Sequence, residues 1–493
     1  MRFRRWLVAG LTGLALLLAG CGDSPPTAVP NYPPGDLVDD LYEAIQDHYV
    51  ETDLILPERY GAAAAAAILL RVSDGRLGDN YDPPNDLESL EVSYRSIGIE
   101  VALSPHAEDP GELVRLIYEA LQADGDGDPE LGADAAGEAA VNAILDTLDD
   151  PYVNYLNPAD YGTALENLDG RTYDGIGIQI DVRDPELGGG VIVSSFLCES
   201  PAYEAGLMRN DVIVAVDGED MRTKALSVVV SNVLGDAGTI VMLTVERGDR
   251  LLDFAVERRE ISSKAVCTSL LTVDDSRFGV VRIPSFTNFT PEQMAKSLCE
   301  LFGGEGCGEE LCNNPTAYCG QPGGLDGLIV DLRTNPGGFV SSTLSSAAQL
   351  LPDDGDLPLL HERRPRNDRR VHTIDDAAPS IRYPDMPPVA ILVNEGSASG
   401  SEVFTAALRD HGRAIVVGEA DTFGKGSVNR FVSLGNGGGV YLTIARWFSP
   451  CGELIEGQGI TPDYNGATPE DAARLLLSSP APAPRCEQFD GPS

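Results

Sequence analysis

Residues 389–408 read Val-Ala-Ile-Leu-Val-Asn-Glu-Gly-Ser-Ala-Ser-Gly-Ser-Glu-Val-Phe-Thr-Ala-Ala-Leu, and this stretch decides the fold. Its first five residues are apolar on both faces, which predicts a buried strand. The small residues from Asn394 to Glu402 predict a turn, and apolar residues then repeat at helical spacing. A strand, a turn and a helix in succession place Ser399 beside free backbone N–H groups at the positive end of a helix.

Two similar strands occur elsewhere in this part of the chain. Gly327–Leu332 precedes the loop Arg333-Thr-Asn-Pro-Gly-Gly338, and Ala414–Val417 precedes a loop that carries Lys425 between two glycines. Short apolar strands separated by helices indicate a buried parallel sheet, whose chemistry collects in the loops after the strands. We therefore predict an α/β domain over residues 259–480. A phosphate-binding role for Lys425 is disfavoured because the Walker spacing is absent and the chain is acidic.

Residues 162–258 have a different pattern, with short strands and tight turns. Val191–Phe196 and Asp211–Val216 are apolar strands, Asp217-Gly218 is a hairpin signal, and Lys224–Leu234 carries a helical stripe. The segments Gly175-Ile-Gly-Ile178 and Ser200-Pro-Ala-Tyr-Glu-Ala-Gly-Leu207 together resemble the signature of PDZ domains. The resemblance implies a loop that binds a peptide's terminal carboxylate while the peptide adds a strand to the sheet edge. The loop residues are Gly175, Ile176, Gly177 and Ile178.

The chain as a whole resembles the C-terminal processing (tail-specific) peptidases, a family of Ser/Lys serine proteases with a PDZ domain. The resemblance covers Thr147–Tyr161, the PDZ-like module, the Ser399, Gly338 and Lys425 loops, and Gly457-Gln-Gly-Ile-Thr-Pro-Asp463, in family order. It implies an α/β multidomain protein with a helical N-terminal region, a β-rich PDZ-like module and a crotonase/ClpP-like catalytic domain. It also implies a serine endopeptidase that needs no metal or other cofactor.

The resemblance assigns roles to five residues. Ser399 is the expected nucleophile, Lys425 its general base, and Asn429 the residue that orients the lysine amine. The N–H groups of Gly338 and Gly400 are expected to form the oxyanion hole. Burial must depress the pKa of Lys425, because an ammonium group with a pKa near 10.4 is useless as a base. The alternative for Ser399 is an ordinary helix N-cap.

Three departures from the family pattern bear on efficiency. Asn429 stands where the family usually has Gln, one methylene longer, and Gly400 stands where it has Ala, which adds backbone freedom. One residue is also inserted near Ala420-Asp421. Asp410 matches an acidic position of the family, and we expect it to face solvent.

The first 21 residues form a predicted targeting signal. Three arginines precede an apolar stretch too short to span a bilayer, which ends in Leu18-Ala-Gly-Cys21. This motif resembles the lipobox of bacterial lipoproteins and predicts lipidation of Cys21; the alternative is a secretory signal with an incidental cysteine. Gly22 favours the outer membrane. We therefore expect a lipid-anchored protein on the periplasmic face of the cell envelope, with residues 22–35 as a Pro-rich tether.

Residues 36–161 carry helical periodicity and form a predicted helical N-terminal domain. The acidic stretch 124–130 begins like a calcium loop, but Pro129 replaces the glycine at the sixth position and Ala135 replaces the glutamate at the twelfth. A solvated acidic turn is the favoured interpretation.

Eight of the nine cysteines remain after Cys21, an even number in an oxidising compartment. Cys299, Cys307, Cys312 and Cys319 lie in a Gly/Asn/Pro-rich insertion over residues 299–320. Disulfides are favoured over a zinc site because no CxxC pair or nearby histidine supports a zinc site. Residues 481–493 form a C-terminal tail.

The net charge of −42 over 493 residues argues against nucleic acid as a partner, because phosphate binding requires Lys and Arg. Two functions from different classes remain. The first is an active endopeptidase for exported proteins with apolar C-termini, tethered to the membrane by its lipid. The second is a PDZ-type binding lipoprotein with a weak or inactive catalytic domain. The sequence leaves the oligomeric state open.

Overall fold

The computed structural model of the chain describes residues 29–51, 55–72, 89–94, 97–102, 109–123, 132–162, 173–182, 189–224, 226–248, 250–261, 264–302, 324–352, 355–377 and 386–486. The signal segment with Cys21, the first half of the tether (residues 22–28), the acidic stretch 124–130 and the cysteines at 307, 312 and 319 lie outside these residues.

The N-terminal region contains four helices, as its periodicity predicts: α1 Pro34–His48, α2 Pro57–Val72, α3 Pro110–Ala123 and α4 Ala133–Asp146. Three of them begin at proline, whose fixed φ suits the first helical position. Their apolar stripes meet in one core that includes Leu41, Ile45 and Val141. The prediction of a mainly helical region missed a hairpin of β1 Ser89–Tyr94 and β2 Ile97–Ala102. The alternating Ser-Leu-Glu-Val-Ser-Tyr of β1 is a strand signal.

The central module is an antiparallel sheet. Its elements follow β3 Asn154–Leu156 in the chain: β4 Tyr173–Gly175, β5 Ile178–Val182, β6 Val191–Phe196, α5 Pro201–Glu204, β7 Val212–Val216, β8 Glu219–Asp220, α6 Leu226–Val233, β9 Ile240–Arg247, β10 Arg250–Glu257 and β11 Arg259–Ile261. The strand order is β10-β9-β7-β6-β5, with β8 paired to β7. The predicted Asp217-Gly218 hairpin joins β7 to β8. β4 pairs with β11 and closes the module.

The C-terminal domain contains fourteen further α-helices and β-strands among the described residues. The first eleven are β12 Cys267–Val273, β13 Ser276–Arg282, α7 Thr290–Phe302, β14 Gly327–Asp331, α8 Val340–Ala348, β15 Pro358–Arg363, β16 Arg369–Thr373, α9 Ile374–Ala377, β17 Val389–Leu392, α10 Gly400–Asp410 and β18 Ala414–Val417. The last three are β19 Ser427–Ser433, β20 Gly439–Phe448 and α11 Pro469–Ser478.

The main sheet of this domain has the order β12-β13-β14-β17-β18, and β13, β14, β17 and β18 run parallel. All residues of β14, β17 and β18 are buried, which confirms the predicted buried parallel strands. The loops that carry the predicted site residues therefore leave the same edge of one sheet.

A second sheet, β16-β15-β20-β19, packs beside the first, and β3 pairs with β20. Val440 and Leu442 of β20 belong to the core of the N-terminal helices, and Val432 of β19 packs against this core. The N-terminal region is therefore packed onto the C-terminal domain through a shared apolar core.

Two disulfides occur among the described residues. Cys198 pairs with Cys267 and Cys451 with Cys486, and Cys299 is also disulfide-bonded. The first bond joins the central module to β12. The favoured disulfide interpretation is thus confirmed for these five cysteines. No helix in the described ranges is both long and apolar enough to cross a bilayer.

Candidate active site

Ser399 lies at the turn between β17 and α10 in an unusual backbone conformation. Its φ is 51° and its ψ is −113°, and the side chain is 6% exposed. A non-glycine residue at positive φ is uncommon and costs energy unless its surroundings enforce it, and such residues cluster at functional sites. The Ser399 N–H donates a hydrogen bond of 2.8 Å to Glu402 in the first turn of α10, which holds the turn in place.

The other two serines of the turn use their hydroxyl groups to hold it against the preceding loop. Ser397 Oγ donates to the Leu332 carbonyl oxygen at 2.8 Å, and Ser401 Oγ donates to the Asn335 carbonyl oxygen at 2.8 Å. Of the three serines, these two therefore have structural roles.

The glycine pair 337–338 lies directly against this turn. A Cβ atom on Gly337 would lie 2.6 Å from the Gly400 nitrogen and 2.8 Å from Ser399 Cβ, so only glycine permits this approach. The φ values of Gly337 and Gly338 are 106° and 145°. Hydrogen bonds between this pair, Phe339 and Phe286 fix the loop from its other side. The structure thus brings the two predicted oxyanion donors, Gly338 and Gly400, together.

Lys425 is almost completely buried, at 2% exposure. Its Nζ lies 4.9 Å from the ring centre of Tyr152 and 5.8 Å from that of Tyr441. Burial lowers the pKa of Lys425 to about 8, although the negative charges of Glu456, Asp150 and Glu402 act in the opposite direction. This is the direction that a lysine base requires.

Glu402 links the serine turn to the lysine loop. Its Oε2 atom accepts hydrogen bonds from the backbone N–H groups of Ser399 and Lys425, at 2.8 and 2.9 Å. Its Oε1 atom accepts from Thr422 Oγ1 and the Gly424 N–H, both at 2.6 Å. Burial raises the pKa of Glu402 to about 7 in spite of these bonds. This role of Glu402 was not among the predictions from the sequence, although the Ser-x-x-Glu spacing is a capping-box signal.

Asn429 is buried near the lysine loop but is not bonded to the lysine amine. Its side-chain amide donates to Thr443 Oγ1 at 2.9 Å, and its oxygen accepts from Ser427 Oγ at 3.0 Å. Both ends of the amide are therefore used within β19 and β20. Its assignment as the residue that orients Lys425 stays a prediction.

Asp410 corrects one expectation. We expected it to face solvent, but it is completely buried at the end of α10. It pairs with Arg409 at 2.8 Å and accepts the Cys451 N–H at 3.1 Å. The helix pattern did not reveal this because the segment that covers Asp410, around Cys451, comes from the chain beyond β20.

The N-terminal region also reaches the site. Tyr152, whose ring lies beside Lys425, follows Asp150, a buried carboxylate that pairs with Arg446 Nη2 at 3.4 Å. The Tyr49 hydroxyl donates to the same carboxylate. One side of the Lys425 side chain is therefore covered by a segment that lies far from Lys425 in the sequence.

The predicted carboxylate loop of the module lies at the start of β5, the edge strand of its sheet. The Ile176 carbonyl oxygen accepts from the Ala202 N–H and the Ser200 hydroxyl, and the Gly177 carbonyl oxygen accepts from the Leu197 N–H. Because groups within the module bind these two carbonyl oxygens, the conformation of the loop is fixed. Gly175 and Ile178 lie on either side of it.

The module also contacts the serine turn and the glycine loop. Arg209 pairs with Glu395, in the serine turn, at 2.6 Å, and Ser195 Oγ lies 3.2 Å from Thr334 Oγ1, in the glycine loop.

Two known protein families match parts of this chain. Residues 277–465 match peptidase family S41, and residues 192–247 match the PDZ domain. A probable CtpA-like serine protease of Staphylococcus haemolyticus is 30% identical over 376 residues, which cover 76% of this chain and 69% of that protein. The chain belongs to peptidase family S41.

Two further similarities place this S41 chain among its relatives. The carboxy-terminal processing protease CtpB of Bacillus subtilis is 31% identical over 347 residues, covering 70% of this chain. The match spans 66% of CtpB, and matches to the Staphylococcus aureus CtpA-like proteases span 61% of those proteins. The structure of the photosystem II D1 C-terminal processing protease aligns over 92% of this chain and 99% of that chain with a TM-score of 0.55 and 23% identity, which shows a shared fold.

Proposed function

We propose that this S41 chain is a serine endopeptidase in which Ser399 is the nucleophile and Lys425 the general base. One observation carries the proposal: a single carboxylate oxygen of Glu402 binds the backbone of both residues, within 2.9 Å. The two turns are thereby held side by side, with the lysine buried and its pKa lowered to about 8. Neutral lysine accepts protons, and buried nucleophile–base pairs of this kind activate hydroxyl groups.

In the proposed reaction, the Ser399 Oγ attacks the carbonyl carbon of the scissile peptide bond and transfers its proton to the neutral Lys425 amine. The negative charge that develops on the carbonyl oxygen is stabilised by the N–H groups of Gly338 and Gly400. Lys425 then donates its proton to the leaving amine, and an acyl-enzyme remains. A water molecule, deprotonated by Lys425, hydrolyses the ester and restores the Ser399 hydroxyl.

We further propose that the PDZ domain selects substrates by their C-termini. The edge position of β5 and the neighbouring helix α6 support this, since an extended peptide can add to an exposed edge strand. The N–H groups of Gly175, Ile176, Gly177 and Ile178 would bind the terminal carboxylate, and an apolar last side chain would contact α6. One relative, CtpB of Bacillus subtilis, is named a carboxy-terminal processing protease, which agrees with a tail-directed substrate choice.

The same proposal includes the cellular location of the protein. The Leu18-Ala-Gly-Cys21 motif supports lipidation of Cys21 and attachment at the periplasmic face of the cell envelope, with exported proteins as substrates. The disulfides Cys198–Cys267 and Cys451–Cys486 support an oxidising compartment.

The proposal is tested with the full chain and an unstructured protein that ends in an apolar residue. The wild type should hydrolyse it, and Ser399→Ala should not. The Ser399→Ala chain then serves for calorimetry with three peptides: apolar-ended, amidated at the C-terminus, and Asp-ended. We expect the first to bind most tightly, because the other two lose the carboxylate contact or bring a charge to an acidic surface. Equal affinities would contradict the proposed recognition of the C-terminus. Absence of hydrolysis by the wild type would contradict the proposed peptidase function.

A further inference from the structure

A cavity of about 170 Å³ lies between α8 and the second sheet of the catalytic domain. We call it the α8 cavity. Five apolar side chains line its walls: Val340, Leu344, Ala377, Val428 and Ile444. A cavity of similar size in another protein accommodates benzene, so this one has room for an aromatic ring.

The α8 cavity adjoins the proposed catalytic groups on two sides. Val340 is the first residue of α8 and follows the oxyanion candidate Gly338 by two positions. Val428 follows Lys425 by three positions. One turn further along α8, Thr343 faces the serine turn, since a Cβ on Gly400 would lie 2.7 Å from its Oγ1. The cavity is therefore lined by residues that lie two and three positions along the chain from Gly338 and Lys425.

The cavity also has a buried polar lining, formed by Glu362 on β15 and His372 on β16. Glu362 is 3% exposed and His372 is 6% exposed. The His372 Nε2 atom lies 3.1 Å from Glu362 Oε2, but it makes no aligned hydrogen bond with any of the residues that the structure describes. An unsatisfied buried nitrogen is costly, and a ligand that hydrogen-bonds to it would remove that cost.

The charges around this polar lining are balanced. Glu362 also accepts two hydrogen bonds from Arg364, at 2.9 and 3.1 Å. Burial acts to raise the pKa of Glu362, but its close contacts with His372 and Arg364 hold it below its usual value. Arg370 and Asp376 add one charge of each sign to the lining. The cavity therefore suits neither a cationic nor an anionic group, and a neutral group with one polar end fits it.

We propose that the α8 cavity is a subsite for a substrate side chain and that it selects a neutral aromatic side chain with a polar tip, best fitted by tyrosine. The inference rests on the proposed peptidase function. The apolar walls hold the ring, and the phenol hydroxyl hydrogen-bonds to His372 Nε2. Alanine leaves the space empty, and lysine or aspartate brings an unpaired charge into it.

The test measures kcat/KM for a series of unstructured peptides that differ at one residue near the scissile bond. Tyrosine, phenylalanine, alanine, lysine and aspartate are placed in turn at each position on either side of that bond. At one position we expect tyrosine to exceed phenylalanine by about tenfold, the value of one net hydrogen bond. Equal rates for all five residues at every position would overturn the subsite.

Variants locate the preference in the cavity. Leu344→Phe fills part of the space and should lower the rates for tyrosine and phenylalanine about tenfold while sparing alanine. His372→Leu should bring the tyrosine-to-phenylalanine ratio close to one, and His372→Gln, which keeps a polar end, should retain part of it. The matched control is Val371→Thr, the 43% exposed neighbour of His372, which should keep the wild-type profile. A wild-type profile in Leu344→Phe would place the subsite elsewhere.

Failure of the subsite and failure of the proposed function give different results. Hydrolysis without any side-chain preference leaves the peptidase and removes the subsite. If no peptide is cleaved, binding of the tyrosine and phenylalanine peptides to the Ser399→Ala chain still decides whether the cavity recognises the phenol: preferential binding supports the subsite, and equal binding overturns it. The wild-type series also keeps the test valid if a core variant fails to fold.

Discussion

The two ends of α10 both bury a cation, but they treat it differently. At the C-terminal end, Arg409 is 5% exposed and pairs with Asp410 at 2.8 Å and with Glu453 at 2.7 Å. At the N-terminal end, Lys425 lies beside the rings of Tyr152 and Tyr441, and no carboxylate of the described residues forms an ion pair with it.

This difference distinguishes a cation with a structural role from a cation that is suited to proton transfer. A buried cation with close anionic partners stays charged and holds elements together, whereas one without them favours its neutral form. The nearest carboxylate to the lysine backbone, Glu402, binds N–H groups of both loops instead of the lysine ammonium. The fold therefore positions Lys425 without neutralising its charge, which is the arrangement that a base requires.

The largest expected effect is on hydrolysis. Lys425→Arg should lower kcat/KM by about a thousandfold or more, because guanidinium stays protonated and cannot act as a base. The matched control is Lys224→Arg, at a lysine on the surface of the PDZ domain, which should keep wild-type activity. Peptidase activity retained in Lys425→Arg would eliminate the Ser/Lys mechanism.

At the opposite end of α10, removal of the cation should destabilise the protein. Arg409→Met leaves the Asp410 carboxylate buried without its cation, which costs about 3–5 kcal/mol. Denaturant unfolding of the full chain measures the loss. A variant as stable as the wild type would mean that the Arg409–Asp410 pair does not hold this end of the helix.

Lys425→Met should have the opposite effect on stability to Arg409→Met. The folded-state pKa of about 8 lies below the usual 10.5, so below pH 8 the native state carries an unfavourable buried charge. Its removal should raise the free energy of unfolding by about 3 kcal/mol at pH 6, from a difference of 2.5 pKa units. The gain should shrink as the pH rises from 8 towards 10.5. Destabilisation at pH 6 would show that Lys425 is compensated as Arg409 is.

A smaller effect is expected at the first residue of α10. In Gly400→Ala, the new Cβ would lie 2.7 Å from Thr343 Oγ1, which forces the oxyanion loop to shift. We expect a loss of about tenfold in kcat/KM, or ~1.4 kcal/mol. Addition of Thr343→Ala should restore most of the activity. Full activity of Gly400→Ala alone would show that the oxyanion loop tolerates the extra methyl group.

The sequence predicts the parts of the site that are local. The strand, turn and helix around Ser399 and the glycine pair before Phe339 follow from apolar runs and small residues, and the structure places them together. What the sequence could not predict depends on distant segments. Asp410 is buried because Cys451 and Arg409 enclose it, and Tyr152 reaches Lys425 because the N-terminal helices share a core with β20.

The composition of the chain also distinguishes Lys425. The chain has only four lysines, Lys224, Lys264, Lys296 and Lys425, among 35 basic residues. The first three are exposed, and Lys425 is the buried one. A chain that uses arginine almost everywhere else has a lysine at the position of the proposed base, and lysine can release a proton where arginine cannot.

The same count makes the central claim directly measurable. Selectively ¹³C-labelled lysine in the full chain gives four Cε signals, and the signal absent from Lys425→Arg belongs to Lys425. We predict that the Lys425 signal titrates at about 8, below the ordinary lysine value of about 10.4. A Lys425 signal that titrates near that ordinary value would contradict the proposal, because Lys425 would then be a charged structural residue and not a base.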